Sequence, residues 1–107
     1  MKEDFENQLR KAYVHSNCPF SYEEALYIFR YYFEKYKHFW GINHPSIGFD
    51  KLVSLLNDID GDGLFTAEDY TSMIDAYFKT RFRNSDRNII HFFSGKIREL
   101  RYYETIL

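Results

Sequence analysis

The sequence has very little cysteine and no leader-like apolar stretch at its start. It contains 1 cysteine among 107 residues. Because one thiol cannot close an intramolecular bridge, Cys18 excludes the disulfide-stapled class of small secreted proteins and favours a reducing compartment. Residues 1–7 are mostly charged or polar, so no secretory signal is expected. The expected location is the cytoplasm.

Long apolar runs and a dominant charge are missing as well. The longest stretch without a charged residue lies between Lys37 and Asp50 and has 12 residues, which is too short to cross a bilayer. The formal net charge is -2, which excludes a charge-driven disordered chain and a uniformly basic nucleic-acid-binding protein. We therefore expect no membrane partner, and a basic site has to be local.

Aromatic residues are abundant. The chain has 11 Phe, 10 Tyr and 1 Trp, and each ring can bury on the order of 150 to 250 Å². The length fits one domain, since domains cluster near roughly 100 to 150 residues. We predict a single helical domain over residues 1–107.

The spacing of apolar residues predicts helices throughout. A first helix ends before Pro19, because proline disfavours helical geometry in the residue before it. Ser21 and Glu24 form a capping-box pattern that starts a second helix. That helix runs to about Trp40, with Gly41 as its stop signal.

Three further helices follow. The third is short because residues 58–63 are rich in turn formers, and the fourth starts at Thr66 and ends near Arg83. Residues 84–86 break the chain before a fifth helix. The apolar side of this fifth helix comprises Ile89, Ile90, Phe93, Ile97, Leu100 and Tyr103. With no strand pattern present, the prediction is an all-α compact bundle of about five helices.

The segment 58–69 resembles the calcium loop of the EF-hand family. Asp58, Asp60 and Asp62 match the first three side-chain ligand places, and Gly63 matches the sharp bend. The resemblance implies that Leu64 offers its backbone carbonyl, that Phe65 fills an apolar slot, and that Thr66 holds a water. It covers about residues 49–78. The implied metal ligands are Asp58, Asp60, Asp62, Leu64, Thr66 and Asp69.

The last ligand place holds Asp69, where the EF-hand family usually has glutamate. An aspartate at this place is similar to dockerin-type loops, and its shorter side chain implies weaker Ca²⁺ binding with Mg²⁺ as a competitor. A solvated acid-rich turn is the alternative interpretation. Repulsion between carboxylates about 4 Å apart in water is only roughly 1 kcal/mol, so it does not by itself require a metal.

The C-terminal third of the chain is basic. Seven basic residues and two acidic ones lie between Lys79 and Arg101. On the predicted fifth helix the side opposite the apolar face carries Arg87, His91, Ser94, Arg98, Arg101 and Tyr102. This row suits phosphates or an acidic protein surface. An ordinary solvated helix face is the alternative.

Two tyrosines lie one turn apart on the polar side of the second helix. Tyr27 and Tyr31, with His38 along the same stripe, could form an interface with a partner. The competing interpretations are that this helix packs on both of its sides, or that the tyrosines cover lysine side chains.

No catalytic constellation is present in the sequence. The four histidines are scattered without the paired spacing of zinc hydrolases, and no glycine-rich phosphate loop follows a strand. We therefore expect a non-enzymatic protein-interaction module with a structural Ca²⁺ or Mg²⁺ site.

Two alternatives stay open. One is a metal-independent regulator or inhibitor that binds a larger protein, a profile similar to that of small proteins encoded by phages and mobile elements. The other is nucleic-acid attachment through Arg87, Arg98 and Arg101.

Overall fold

The computed structural model describes residues 2–59, 65–79 and 87–93, which contain five α-helices and no β-strand. The helices are α1 (Lys2–Val14), α2 (Tyr22–Trp40), α3 (Phe49–Asp58), α4 (Ala67–Lys79) and α5 (Ile89–Phe92). This confirms the predicted all-α class. None of these helices is long and apolar enough to span a membrane.

The longest helix, α2, starts and ends at the predicted residues. The Ser21 hydroxyl accepts a hydrogen bond from the Glu24 N–H at 3.2 Å, and the Glu24 carboxylate accepts one from the Ser21 N–H at 3.1 Å. At the other end Gly41 has a φ of 78°, and its N–H donates to the Lys37 carbonyl at 2.7 Å. A left-handed glycine of this kind satisfies a terminal carbonyl and turns the chain away from the helix.

A second reciprocal cap starts α4. The Asp69 N–H donates to the Thr66 hydroxyl at 3.1 Å, and the Thr66 N–H donates to the Asp69 carboxylate at 2.8 Å. The predicted start at Thr66 is confirmed. The predicted end near Arg83 and the predicted break at 84–86 lie outside the described residues.

The core lies between two helix pairs. α2 packs against α4, α1 packs against α3, and α1 also contacts α2. The large, fully buried side chains are aromatic or aliphatic, and every one of the five helices contributes at least one of them. The largest of them are Tyr32, Tyr70, Tyr77, Phe29, Phe92, Leu9, Ile28, Leu52, Leu56, Ile59, Met73 and Ile74.

The predicted fifth helix requires a correction. Its described part starts at Ile89, where the Asn88 side chain accepts a hydrogen bond from the Ile90 N–H, and it ends at Phe92. Phe93 is the C-cap of this part, with a ψ of -2° that departs from the about -42° of a regular helix. Ile90, predicted for the apolar face, is exposed. Residues 94–107 lie outside the described part.

Candidate functional site

The helices position both ends of the predicted cation segment 58–69. α3 ends at Asp58, whose side chain is exposed, and the next residue, Ile59, is buried in the core. At the other end the Phe65 ring packs against the core cluster, with its centroid 6.4 Å from that of Tyr70. The segment is therefore anchored to the core at both ends, by Ile59 and by Phe65.

Asp69 combines a structural contact with its predicted ligand role. One carboxylate oxygen, Oδ2, accepts the Thr66 N–H at 2.8 Å and stabilises the first turn of α4. The other oxygen, Oδ1, is the atom that a cation would contact. A carboxylate can accept at both oxygens, so the two roles are compatible.

The middle of the segment is not among the described residues, which leaves out Asp60, Asp62 and Leu64. Within the described ranges, no three His, Cys, Asp or Glu side chains form a group that could hold a metal ion. Asp58, Thr66 and Asp69 are the predicted ligands that fall inside these ranges, and the cation site stays a prediction.

Tyr31 links two helices. Its hydroxyl donates to Asp75 Oδ1 on α4 at 2.7 Å, and Lys35 Nζ lies 3.1 Å from the same oxygen. Burial, together with the hydrogen bond to Asp75 and its negative charge, raises the pKa of Tyr31 to about 12. Tyr31 is thus engaged in α2–α4 packing. Tyr27 remains exposed, with its ring centroid 6.2 Å from that of Tyr31.

Arg87 does not lie on an exposed basic face, and that part of the prediction is wrong. It is only 5% exposed. Its guanidinium donates to the Tyr77 carbonyl at 2.8 Å and lies 5.0 Å from the ring centroid of Phe39. Arginine stacks on ring faces through cation–π attraction, which explains how a cation is held here. Its φ of 65° is unusual for a residue other than glycine.

The other residues of the predicted basic row fall into two groups. His91 is half-buried, with Nδ1 2.6 Å from the Tyr77 hydroxyl oxygen. Arg98, Arg101 and Tyr102 lie outside the described residues. Arg87 and His91 are the members of the row that the structure describes, and the role of the row in partner or nucleic-acid binding stays a prediction.

The segment 87–93 is held to the loop that follows α2. His44 Nε2 accepts a hydrogen bond from the Ile89 N–H at 2.9 Å, while His44 Nδ1 lies 2.8 Å from the Pro45 carbonyl oxygen. Because Nε2 accepts, Nδ1 carries the proton and donates to Pro45. The Tyr32 hydroxyl also donates to the Arg87 carbonyl at 2.7 Å. Two helices and one loop thus fix the start of α5.

An exposed apolar surface lies at the end of α2, where the sequence pattern does not predict one. We call Phe39, Trp40 and Ile42 the aromatic patch; their exposed fractions are 44%, 46% and 61%. The Phe39 ring packs against Trp40 and Phe78, with centroid distances of 5.0 and 5.7 Å. Helical periodicity assigns Phe39 and Trp40 to the buried arc of the second helix, so it misses this surface.

The stretch of sequence that contains the aromatic patch carries no acidic residue. The chain has no Asp or Glu from residue 35 to residue 49. Lys37 and His38 precede the patch and are exposed, as is Lys79, which follows Phe78 on α4. The residues next to Phe39 and Phe78 in the sequence are therefore basic, in a chain whose formal net charge is -2.

A cleft of about 580 Å³ lies on another side of α2, between α1 and residues 43–47. An ion pair between Glu6 and Arg30 borders it, together with Glu34 and Lys37. Its size suits a small ligand. Its lining contains both acidic and basic side chains, so it favours neither an anionic nor a cationic ligand.

Comparison with known proteins adds no assignment. The chain matches no protein-family model, no curated protein and no solved structure.

Proposed function

We propose that the chain is a non-enzymatic protein-interaction module in which the segment 58–69 holds one Ca²⁺ ion with a structural role. The single observation that supports the cation site is the placement of its ends. α3 ends at Asp58 and α4 follows the Thr66 cap, so the first and last ligand residues stand at the two helix ends that the resemblance requires.

The chemistry of the segment favours a hard cation. Ca²⁺ takes 6 to 8 oxygen ligands at roughly 2.3 to 2.6 Å, and the aspartates, a backbone carbonyl and a water near Thr66 would supply them. Asp69 reaches one methylene less far than glutamate, so binding is weak and Mg²⁺ competes. The groups that make the Thr66–Asp69 cap all belong to the protein. The proposed role of the ion is to order the connection between α3 and α4.

Thermal unfolding with Ca²⁺ and with a chelator tests the site. A ligand that binds only the folded state raises the melting temperature, and at a concentration of 100 Kd it adds about 2.7 kcal/mol to the free energy of unfolding. We expect Asp58→Asn to remove the Ca²⁺-dependent shift. Asp50→Asn is the matched control, because Asp50 is an exposed aspartate at the opposite end of the same helix. Its Ca²⁺-dependent shift should equal that of the unaltered chain.

A second variant separates loss of binding from loss of folding. Asp69→Glu keeps the cap, since glutamate is the usual partner in a capping box, and it extends the carboxylate toward the ion. We expect it to bind Ca²⁺ more tightly than the unaltered chain. Absence of any Ca²⁺ effect on the melting temperature or on the amide resonances of Gly61 and Gly63, at millimolar Ca²⁺, would contradict the cation site.

The protein-interaction part of the proposal rests on the aromatic patch. Large apolar side chains that stay exposed next to one another are typical of binding surfaces, and aromatic residues are enriched in interface cores. The exposed apolar side chains of Phe39, Trp40 and Ile42 lie within four consecutive positions at the end of α2. The patch lies outside the segment 58–69, so protein binding does not require the cation.

A further inference from the structure

We infer that His44 is a pH-sensitive switch, which holds the segment 87–93 against the loop after α2 while its ring is neutral and releases the segment when the ring is protonated. The contact that changes is the hydrogen bond in which His44 Nε2 accepts the Ile89 N–H at 2.9 Å. Regulation of this kind goes beyond the proposed function, which requires neither a change of pH nor a movement of the segment.

Only the neutral ring of His44 can make both of its hydrogen bonds. A backbone N–H can only donate, so the Ile89 N–H requires a ring nitrogen that carries no proton. The other ring nitrogen, Nδ1, lies 2.8 Å from the Pro45 carbonyl oxygen, which can only accept, so Nδ1 carries the single proton of the neutral ring. A second proton, on Nε2, would place two donors opposite each other. Acid therefore breaks the hydrogen bond to Ile89.

Three rings of α2 fix the orientation of the half-buried His44 side chain. The centroid of its ring lies 4.7 Å from that of Tyr36, 4.8 Å from that of Phe33 and 6.2 Å from that of Tyr32. A side chain packed in this way keeps one orientation, because the neighbouring rings occupy the space that it needs to turn. The imidazole therefore responds to a proton through its hydrogen bonds and not by rotation.

The described charges near His44 are of both signs. The charged side chains that line the cleft beside it are Glu6 and Arg30, which form an ion pair, and Glu34 and Lys37. Two acidic and two basic groups give this lining no net charge. The segment itself carries Arg87 and His91, whose side chains contact Tyr77. Positive charge on either of them opposes a second positive charge on His44.

His91 also holds the segment, but its contact does not require one protonation state. Its Nδ1 lies 2.6 Å from the Tyr77 hydroxyl oxygen. A hydroxyl can donate or accept, so this hydrogen bond forms whether His91 is neutral or protonated. His44 is therefore the histidine whose contact with the segment is sensitive to pH.

The segment 87–93 is suited to release. Arg87, at its start, has a φ of 65°, which is uncommon for a residue other than glycine. The Tyr32 hydroxyl and the Tyr77 carbonyl hold Arg87 in this conformation. The two main helix pairs are α2–α4 and α1–α3, and neither includes α5. Loss of the hydrogen bond to Ile89 therefore weakens the attachment of the segment while the helix pairs stay packed.

Amide hydrogen exchange tests the switch. The protection factor of the Ile89 amide measures how often its hydrogen bond opens, after correction for the effect of pH on the exchange chemistry. A solvated histidine gains its proton near about pH 6.5, so we expect this protection factor to fall by up to about thirtyfold between about pH 7.5 and about pH 5. Amides in the middle of α2, such as that of Phe29, should keep their protection. A chelator in every sample excludes an effect of cation binding.

Three glutamine variants identify the residue that senses pH. His44→Gln keeps an acceptor for the Ile89 N–H and takes up no proton, so the protection of Ile89 should no longer depend on pH. His38→Gln is the matched control, because His38 is an exposed histidine in the last turn of α2. It should keep the full pH effect, and so should His91→Gln. The titration of the unaltered chain remains decisive if His44→Gln does not fold.

Three results would overturn the switch. The protection of Ile89 could be the same at both pH values, which would mean that protonation of His44 does not release the segment. Far-UV circular dichroism could show that the helices are lost together with this protection, which would mean that acid unfolds the whole chain. The pH effect could disappear in His91→Gln and persist in His44→Gln, which would make His91 the sensor. None of these results bears on Ca²⁺ binding or on protein binding.

Discussion

At the scale of single residues, Tyr31 shows how one contact between helices changes the chemistry of a side chain. Its hydroxyl donates to Asp75, whose negative charge opposes ionisation of the phenol. Burial and this contact raise the pKa of Tyr31 from the ordinary 10.0 to about 12. Because the neutral phenol is the form that the folded state favours, its contribution to stability is complete below pH 10 and is lost as the pH rises toward 12.

A spectrophotometric titration checks this. We expect the folded chain to contain a phenol that ionises near pH 12 and Tyr31→Phe to remove it. Tyr27→Phe is the control, because it removes a neighbouring exposed tyrosine and should leave that phenol in place. Identical titration curves for the Tyr31→Phe variant and the unaltered chain would contradict the assignment.

The burial of Arg87 could not be predicted from the sequence. Arginine is normally exposed, and the sequence around it is basic, so an exposed face is the reasonable expectation. Its burial depends on the Phe39 and Tyr77 rings and on the Tyr77 carbonyl, which come from α2 and α4. These contacts are far apart in sequence and arise only when the helices pack.

At the scale of elements, the cap at Ser21 sets the start of α2. We expect Ser21→Ala to lower the free energy of unfolding by about 1 kcal/mol, because an N-cap hydroxyl is lost and the Glu24 N–H is left without this acceptor. Denaturant unfolding measures the change. Ser54→Ala, at an exposed position within α3, is the matched control and should be neutral or slightly stabilising.

Local signals predict the helix boundaries well. Ser21, Gly41 and Thr66 act through contacts within four residues, so their effect can be deduced from sequence. Apolar periodicity does not reveal where the backbone leaves helical geometry, so it does not predict that the described part of α5 ends at Phe92. The exposure of Phe39 and Trp40 is unpredictable for a similar reason. Periodicity shows which face of a helix is apolar, but it does not show how much of that face the other helices cover.

At the scale of the whole molecule, α2 connects the two helix pairs. It packs on α4 and on α1, and its Tyr32 ring lies near those of Tyr77 and Phe92. The Cα radius of gyration is 13.2 Å, close to the about 13 Å expected for a single domain of this length.

We therefore expect one cooperative unfolding transition. Near-UV circular dichroism, which reports the packing of the rings, and far-UV circular dichroism, which reports the helices, should change at the same temperature. The experiment also tests the prediction of a single domain over residues 1–107. Two separate transitions would mean that the α1–α3 and α2–α4 pairs unfold independently.

The candidate sites are less predictable from the sequence than the fold. The acidic ligands of the segment 58–69 are close neighbours along the chain, so their pattern is evident in the sequence alone. The aromatic patch is not, because the exposure of Phe39 and Trp40 depends on how the other helices pack around the end of α2. The absence of Asp and Glu from residue 35 to residue 49, by contrast, is evident in the sequence.

The burial of Arg87 also affects proteolysis at this one position. Proteases of the trypsin type bind an arginine side chain in a deep acidic pocket before they hydrolyse the bond that follows it. The Arg87 guanidinium already occupies a pocket of this protein, beside Phe39 and Tyr77, and its carbonyl is held by the Tyr32 hydroxyl. The peptide bond after Arg87 is thus protected from digestion for as long as the segment 87–93 stays in place.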